Sequence, residues 1–414
     1  MEAGNALLSD PRTYAAGPPH AAFAHRRRQA PVSWVDPVVL PRRSGDSAVR
    51  QRLDGFWAVT RHADVVAVSR SPEVFSSAAR GPFLAEPASR DELERTRQLL
   101  VGMDPPEHTG LRRVASTAFT PAVVRGLRES VAGHADRIVA AVTTGDPVDA
   151  VADVAAELPL LVLADLLGLP RSDRGLLLRW SNRLVGFDDP AYGGGDVAEF
   201  NRTMKEALAY AIDVGRRRRR RPGDDLMSRL VTAEVDGRRL TEAEFCHLWL
   251  LLVVAGHDTT RHLISGGIEL FAADRELAER MSARPDLVVS AVEELLRWVT
   301  PIMQFRRTAQ CDVTVGGAGI AAGDKVVLYY VSANRDDEVF VEAGCFRPDR
   351  APNPHVAFGA GPHFCLGAQL ARLEAATLLT ALLPHLRRLR SAGRPDRLQS
   401  NFMNGLKSLP VVFG

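Results

Sequence analysis

Long hydrophobic runs are missing from these 414 residues. The longest, Leu248 to Ala255, stops at Gly256, His257 and Asp258, far short of the ~20 apolar residues a bilayer span needs. It reads as part of a buried helix. The first thirty residues carry Glu2, Asp10, several prolines and a late Arg26, Arg27, Arg28 cluster, with nothing apolar enough for a signal peptide. A cytoplasmic chain with no membrane anchor is therefore expected. An excess of one charge is lacking too: the net charge is +2 and both signs are spread along the chain, which gives nucleic acid no footprint. The four cysteines, at 246, 311, 345 and 365, form no C-x-x-C pair, which argues against a disulfide framework or a structural zinc site. Among 52 basic residues only Lys205, Lys325 and Lys407 are lysine, a bias that points to a GC-rich bacterial genome and not to a function. No internal repeat is visible. Neither Gly316 to Gly319 (GGAG) nor Gly359 to Gly361 (GAG) extends to the G-x-G-x-x-G of dinucleotide sites.

What is present is a chain 46% apolar, enough to bury a large core as one unit, 1–414, with a flexible segment over about 1–10. Turn signals and periodicity divide it into a mixed first hundred residues, a helical middle and a mixed end. Gly55 to Thr60 reads as a strand. Pro121 to Val142, Val151 to Leu167, Asn201 to Val214, Leu287 to Val299 and Gly367 to Leu383 read as helices. Thr241, with Glu244 three residues on, starts a helical pattern that runs unbroken to about Asp274. Val313 to Val331 has strand and turn character. Six arginines, Arg216 to Arg221, read as a solvated helix end, where cations are favourable, ahead of an anionic partner site.

The segment Phe358 to Gly367 (FGAGPHFCLG) is a glycine-punctuated loop that sets Cys365 just before a helix. A thiolate ligand must stay deprotonated, and loop N–H groups with the positive end of the following helix stabilise it. Glycine also lets the backbone approach a flat macrocycle. The loop matches F-G-x-G-x-H-x-C-x-G at every fixed position, so the chain resembles the cytochrome P-450 superfamily, specifically its soluble bacterial, actinobacterial members. The resemblance runs from about Asp10 to the C-terminus. It implies a mainly α fold with smaller β sheets (α+β), haem b held between the long central helix and the Cys-ligand loop, and Cys365 as the axial iron ligand. Phe358, Gly359 and Gly367 would form the cradle.

Ala255 to Thr260 (AGHDTT) resembles the family's oxygen-activating A-G-x-D/E-T motif. Leu251, Ala255 and Thr259 share one helix face. Small Ala255 and Gly256 would leave room for O2, and Asp258 and Thr259 would relay protons to it. An acid and an alcohol in mid-helix compete for backbone hydrogen bonds, a broken rule that function would explain. His257 is expected to be a satisfied, packed histidine. Glu294 and Arg297, with Arg350 in FRPDR, resemble the family's structural E-x-x-R network. Two haem propionates need cationic or hydrogen-bonding partners. By resemblance these are His108, Arg112, Arg307 and His363, with Arg113 an outward charge.

The implied activity is monooxygenation: the Cys365 thiolate pushes electron density onto iron and favours O–O cleavage. Electrons would come from a ferredoxin and ferredoxin reductase, with docking expected where Arg113 and Arg372 lie. The substrate segments implied by resemblance are 78–100, 184–189, Leu251, Val254, Ile302, Met303, Gln304 and Asn401, Phe402, Met403. They are mostly apolar, which suggests a hydrophobic small molecule. The segments 400–405 and 334–336 resemble members acting on steroids, terpenoids and branched lipids, and also natural-product tailoring enzymes. A peroxide-driven oxygenase and a gas-binding haem-thiolate protein are the alternatives, and the Asp258 and Thr259 pair argues against both.

Overall fold

Thr241 opens the longest helix: its hydroxyl accepts the Glu244 N–H, and the Glu244 carboxylate accepts the Thr241 N–H. In the computed structural model, which describes residues 8–223, 225–235 and 237–413, this helix runs unbroken over Glu242–Ala273. At 1.5 Å per residue it is about 48 Å long, enough to cross the molecule. The helices Glu157–Leu167, Arg174–Val185, Val197–Arg220, Val288–Val299 and Ala368–Leu382 pack against it, and all share one apolar core. Two glycines mark the closest approaches. A Cβ on Gly215 would lie 2.7 Å from the Phe245 ring, and one on Gly266 would lie 2.8 Å from Val299.

Three helices differ from the expected spans. Pro121 to Val142 is two helices, Pro121–Gly126 and Arg128–Val142. The segment expected from Val151 opens as a π-turn, Ala150–Ala155, and becomes α-helical only at Glu157. The helix read from its apolar pattern over Asn201 to Val214 spans Val197–Arg220, with the arginines forming its C-terminal end, as the charge run implies. Arg216 pairs with Glu242 at 3.0 Å and Arg218 with Asp225 at 2.8 Å, and Arg217 pairs with Asp213, so the arginine run is largely neutralised locally.

A five-stranded sheet holds the other end of the chain, in the order Val32–Val35, Phe56–Val59, Lys325–Tyr329, Gln304–Ala309, Phe75–Ser76. The expected flexible segment falls mostly outside the described residues. Its end does not fit the expectation: Leu8 and Ser9 are buried, and Asp10 caps the turn Pro11–Tyr14.

Helix and sheet ends are tied together by one carboxylate. Glu294, fully buried, accepts Arg297 Nε and Nη2 at 2.8 and 2.7 Å, Arg350 Nε at 2.9 Å, the Arg347 N–H at 2.9 Å and Asn353 Nδ2 at 3.1 Å. Arg297 donates onward to the carbonyls of Asn334, Ala343 and Cys345. The segment leading into the cysteine loop is thereby fixed to the helix Val288–Val299. Replacing Glu294 by alanine leaves two buried guanidiniums without a counter-charge. We expect a loss of about 3–5 kcal/mol, read as a lower urea midpoint at unchanged slope.

Candidate active site

Ala255 and Gly256 stand at the middle of a helix enclosed by others, yet both are exposed, while Leu252, Val253, His257 and Asp258 around them are buried. Leu251, Val254 and Thr259 on the same side are half-buried. One face of the central helix therefore lines an interior opening. A Cβ on Gly256 would meet only Leu163, at 3.5 Å. The Thr259 hydroxyl donates to Ala255 O at 2.8 Å, which leaves its lone pairs as acceptors.

Asp258 is held on the other side. It accepts the Ser181 hydroxyl and lies 2.7 Å from Arg261 Nη2, whose Nη1 reaches Asn182 Oδ1 at 2.6 Å. Burial pushes this carboxyl up, but Arg261 and His257 outweigh it and hold it well below the usual carboxylate range. His257 is packed as expected but is not satisfied: Nδ1 lies 3.3 Å from Asp258 Oδ1 without hydrogen-bond geometry, and neither ring nitrogen has a partner among the described residues.

The cysteine loop closes on itself. The Cys365 N–H donates to Phe358 O at 2.9 Å and the Phe364 N–H to Gly361 O at 3.0 Å. Gly361 has φ +67°, and a Cβ there would fall 2.3 Å from Ser69 O, so only glycine fits. Burial pushes the Cys365 thiol up, against the pull of the Gly367 N–H, Arg112 and Arg372. The residue is nonetheless solvent-accessible. Phe358 is flanked by Phe364 at 6.1 Å and by the Arg372 guanidinium at 4.7 Å. Arg372 is also held by Glu293 at 2.6 and 2.8 Å. It thus clamps the loop, and Arg113 is exposed.

A cationic corner lies beside the loop. The His108 and His363 rings stack at 4.3 Å. Arg112 Nη2 donates to Phe364 O at 2.5 Å, and Arg307 is buried with its Nη1 on Arg306 O at 2.7 Å. Neither arginine has a carboxylate partner among the described residues. The nearby Asp104 is already bound by Ser76 and the Ser77 and Ala78 N–H groups. Burial, then Arg112, hold His108 down to about 4; burial and Arg307 hold His363 down to about 2. Both are neutral donors at pH 7, and His108 Nε2 is buried with no partner.

A family description, Cytochrome P450, matches residues 268–410. The steroid C26-monooxygenase of Mycolicibacterium smegmatis is 37% identical over 399 residues, 95% of this chain and 90% of that protein. The methyl-branched lipid omega-hydroxylase of Mycobacterium tuberculosis is 38% identical over 397 residues, again 95% and 90%. A Mycobacterium marinum cytochrome P450 solved in complex with pseudoionone superposes with TM-score 0.88 at 40% identity, covering 97% of both chains. The chain belongs to the cytochrome P450 family. It is a P450 monooxygenase with the P450 fold, and its cofactor is haem b.

The residues fit that cofactor. Two unneutralised arginines and two neutral imidazoles, one with an orphaned nitrogen, are a donor set for two carboxylates. The accessible sulfur and the accessible face of the central helix are the two apolar-edged walls a porphyrin needs. The P450 places Leu251, Val254 and Ile302 half-buried, whereas Met303, just ahead of the strand Gln304–Ala309, is buried among Leu8, Tyr14 and Val331. No helix among the described residues is long and apolar enough to cross a membrane.

Sequence reading included Phe83 only within the segment 78–100 and passed over Phe305 and Glu374. Phe305 was legible: it lies two residues before Arg307, on the same strand face. Glu374 was not, since its helix position looks ordinary. It is buried, Oε2 has no partner, and burial pushes its carboxyl up to about 8. The folded chain therefore binds one more proton than the unfolded chain between about 4.5 and about 8. Stability should fall as pH rises through that window. Glu374→Gln should flatten that part of the curve, as measured by urea midpoints from pH 4.5 to 8.

Proposed function

We propose that this P450 hydroxylates the methyl-bearing end of a branched apolar chain, on a steroid or methyl-branched lipid, using electrons from a separate ferredoxin and its reductase. The observation that carries the chemistry is the exposed Cys365, backed by the Gly367 N–H, in a chain whose central helix exposes Ala255 and Gly256 at its middle. The substrate reading is supported by the two relatives, each named for oxidation at the end of a hydrocarbon chain, and by an aliphatic wall of Leu251, Val254 and Ile302. The chain would act as a single unit over 1–414, in the cytoplasm.

Haem, when bound, supplies the iron that activates O2 and inserts one oxygen atom into a C–H bond. The protein's residues do the rest. Cys365 would supply the thiolate ligand, and the charge of the bound iron would keep that sulfur deprotonated. Arg112 and Arg307 would neutralise the two propionates, and His108 and His363 would orient them as neutral hydrogen-bond donors. Ala255 and Gly256 would leave room for O2. Asp258, once its carboxylate leaves Arg261, would take up a proton from solvent and hand it to Thr259 Oγ1 as that hydroxyl passes its own proton on toward the accessible face, so that Thr259 ends neutral and Asp258 returns to the carboxylate.

Cys365→Ser should abolish the red-shifted spectrum of the reduced carbon monoxide complex; survival of that spectrum would overturn the ligand assignment. Asp258→Asn should slow product formation by about 10²-fold while leaving substrate affinity near that of the parent. Turnover of a methyl-branched fatty acid with ferredoxin, reductase and reduced pyridine nucleotide, but not with peroxide alone, supports the electron route. Turnover with peroxide alone removes it.

A further inference from the structure

The strand Gln304–Ala309 alternates its duties. Phe305 and Arg307 point to one face; Arg306 points to the other, where it is buried and binds Glu86 Oε2 at 2.7 Å. Lys325, buried on the neighbouring strand, meets the other Glu86 oxygen at 2.5 Å and donates to Leu84 O at 3.2 Å. The Arg306 N–H also donates to Pro82 O at 2.8 Å. Three successive anchors, Pro82, Leu84 and Glu86, therefore fix the segment 82–86 to the sheet. Burial alone would push the Glu86 carboxyl up, but Arg306 and Lys325 outweigh it and keep it ionised.

Between those anchors stands Phe83, half-buried while Pro82 and Leu84 are buried, so its side chain faces the opposite way. It meets Phe305 at 6.3 Å and Phe402 at 5.8 Å, the latter edge-on, and Phe305 meets Phe402 at 5.5 Å. Each of the three is the more accessible residue between buried neighbours. The rings come from three distant segments and meet beside the strand that carries Arg307.

We infer that Glu86 is a positioning residue for substrate selection: through Arg306 and Lys325 it holds Phe83 against Phe305 and Phe402, and this ring corner limits the girth of the molecule that reaches the reacting position. It admits a slim chain end and excludes a bulky ring system. The inference rests on the haem-site reading above, because Phe305 borders that site only if Arg307 faces a propionate.

Two imidazoles that ligate haem iron through nitrogen report the girth without turnover: 1-dodecylimidazole, which is slim, and clotrimazole, whose triphenylmethyl group is wide. Affinities are read from the shift of the haem absorption band, and the carbon monoxide spectrum of each variant confirms thiolate ligation. Phe83→Ala and Glu86→Gln should each raise the affinity for clotrimazole by about tenfold, leaving 1-dodecylimidazole within about threefold. Glu86→Asp should restore most of the parent preference, which a purely structural role would not require. If Phe83→Ala shifts the preference and Glu86→Gln does not, the positioning role is overturned. If neither shifts it, the ring corner is overturned as well. Should Glu86→Gln fail to take up haem, Lys325→Gln removes the other half of the anchor and must shift the preference the same way. A parent protein that binds neither imidazole overturns the haem-site reading itself, a result distinct from all of these.

Discussion

One carboxylate, Glu294, carries more of this structure than its size suggests. It gathers donors from its own helix, from the loop at Arg347 and Arg350, and from Asn353. Buried ion pairs seldom add net stability, since desolvation offsets the attraction. Their value here is registry. The segment they lock runs directly into the loop that presents Cys365, and a loop holding two glycines at positive φ keeps its shape only where its surroundings over-determine it. Arg372 completes the frame, gripping Glu293 on the same helix as Glu294 while lying over Phe358. The sulfur's side of the site is thus rigid by construction.

The opposite wall obeys a different constraint. A 32-residue helix must bury nearly all of its circumference and still leave one face open at its centre. Small residues at 255 and 256 supply the opening. The cost of a buried acid beside them is met by Arg261 one turn on and by Ser181 and Asn182 from the neighbouring helix. Asp258 therefore rests away from the open face, and its service to that face requires an exchange of partners. Ligation demands a fixed sulfur, whereas proton delivery demands a group that can move.

Much of this was legible in the sequence. The central helix was bounded to within a residue, because Thr241 and Glu244 form a complete capping box and the apolar pattern does not lapse. The cysteine loop was legible because ligation, positive φ and close packing each force a residue type at a fixed spacing. The helix ending at Arg220 was legible from two separate signals, an apolar stripe that stops near Val214 and a charge run that suits a helix C-terminus. That Met303 packs into the core beside Leu8 and Tyr14 was not legible, because those partners lie almost three hundred residues away. His257 lacks hydrogen-bond partners, and no spacing rule reveals that. Glu86 was invisible for a deeper reason: its partners Arg306 and Lys325 lie more than two hundred residues away, and only the sheet's register brings them together.

That register links the two halves of the site. Strand alternation sends Arg307 and Phe305 to one face and Arg306 to the opposite one, so on the proposed reading a single strand would hold a cofactor donor, a substrate wall and the anchor of the loop bearing Phe83. A one-residue slip would exchange all three at once. Hydrogen bonds to Lys325–Tyr329 on one side and Phe75–Ser76 on the other prevent the slip. The cofactor side can therefore stay fixed while the 78–100 loop and the turn at Phe402 vary in shape, since neither needs to move the strand to change what the opening admits. Selectivity in such an arrangement belongs to the rings and to the ion pairs that aim them, and reactivity belongs to the cysteine loop.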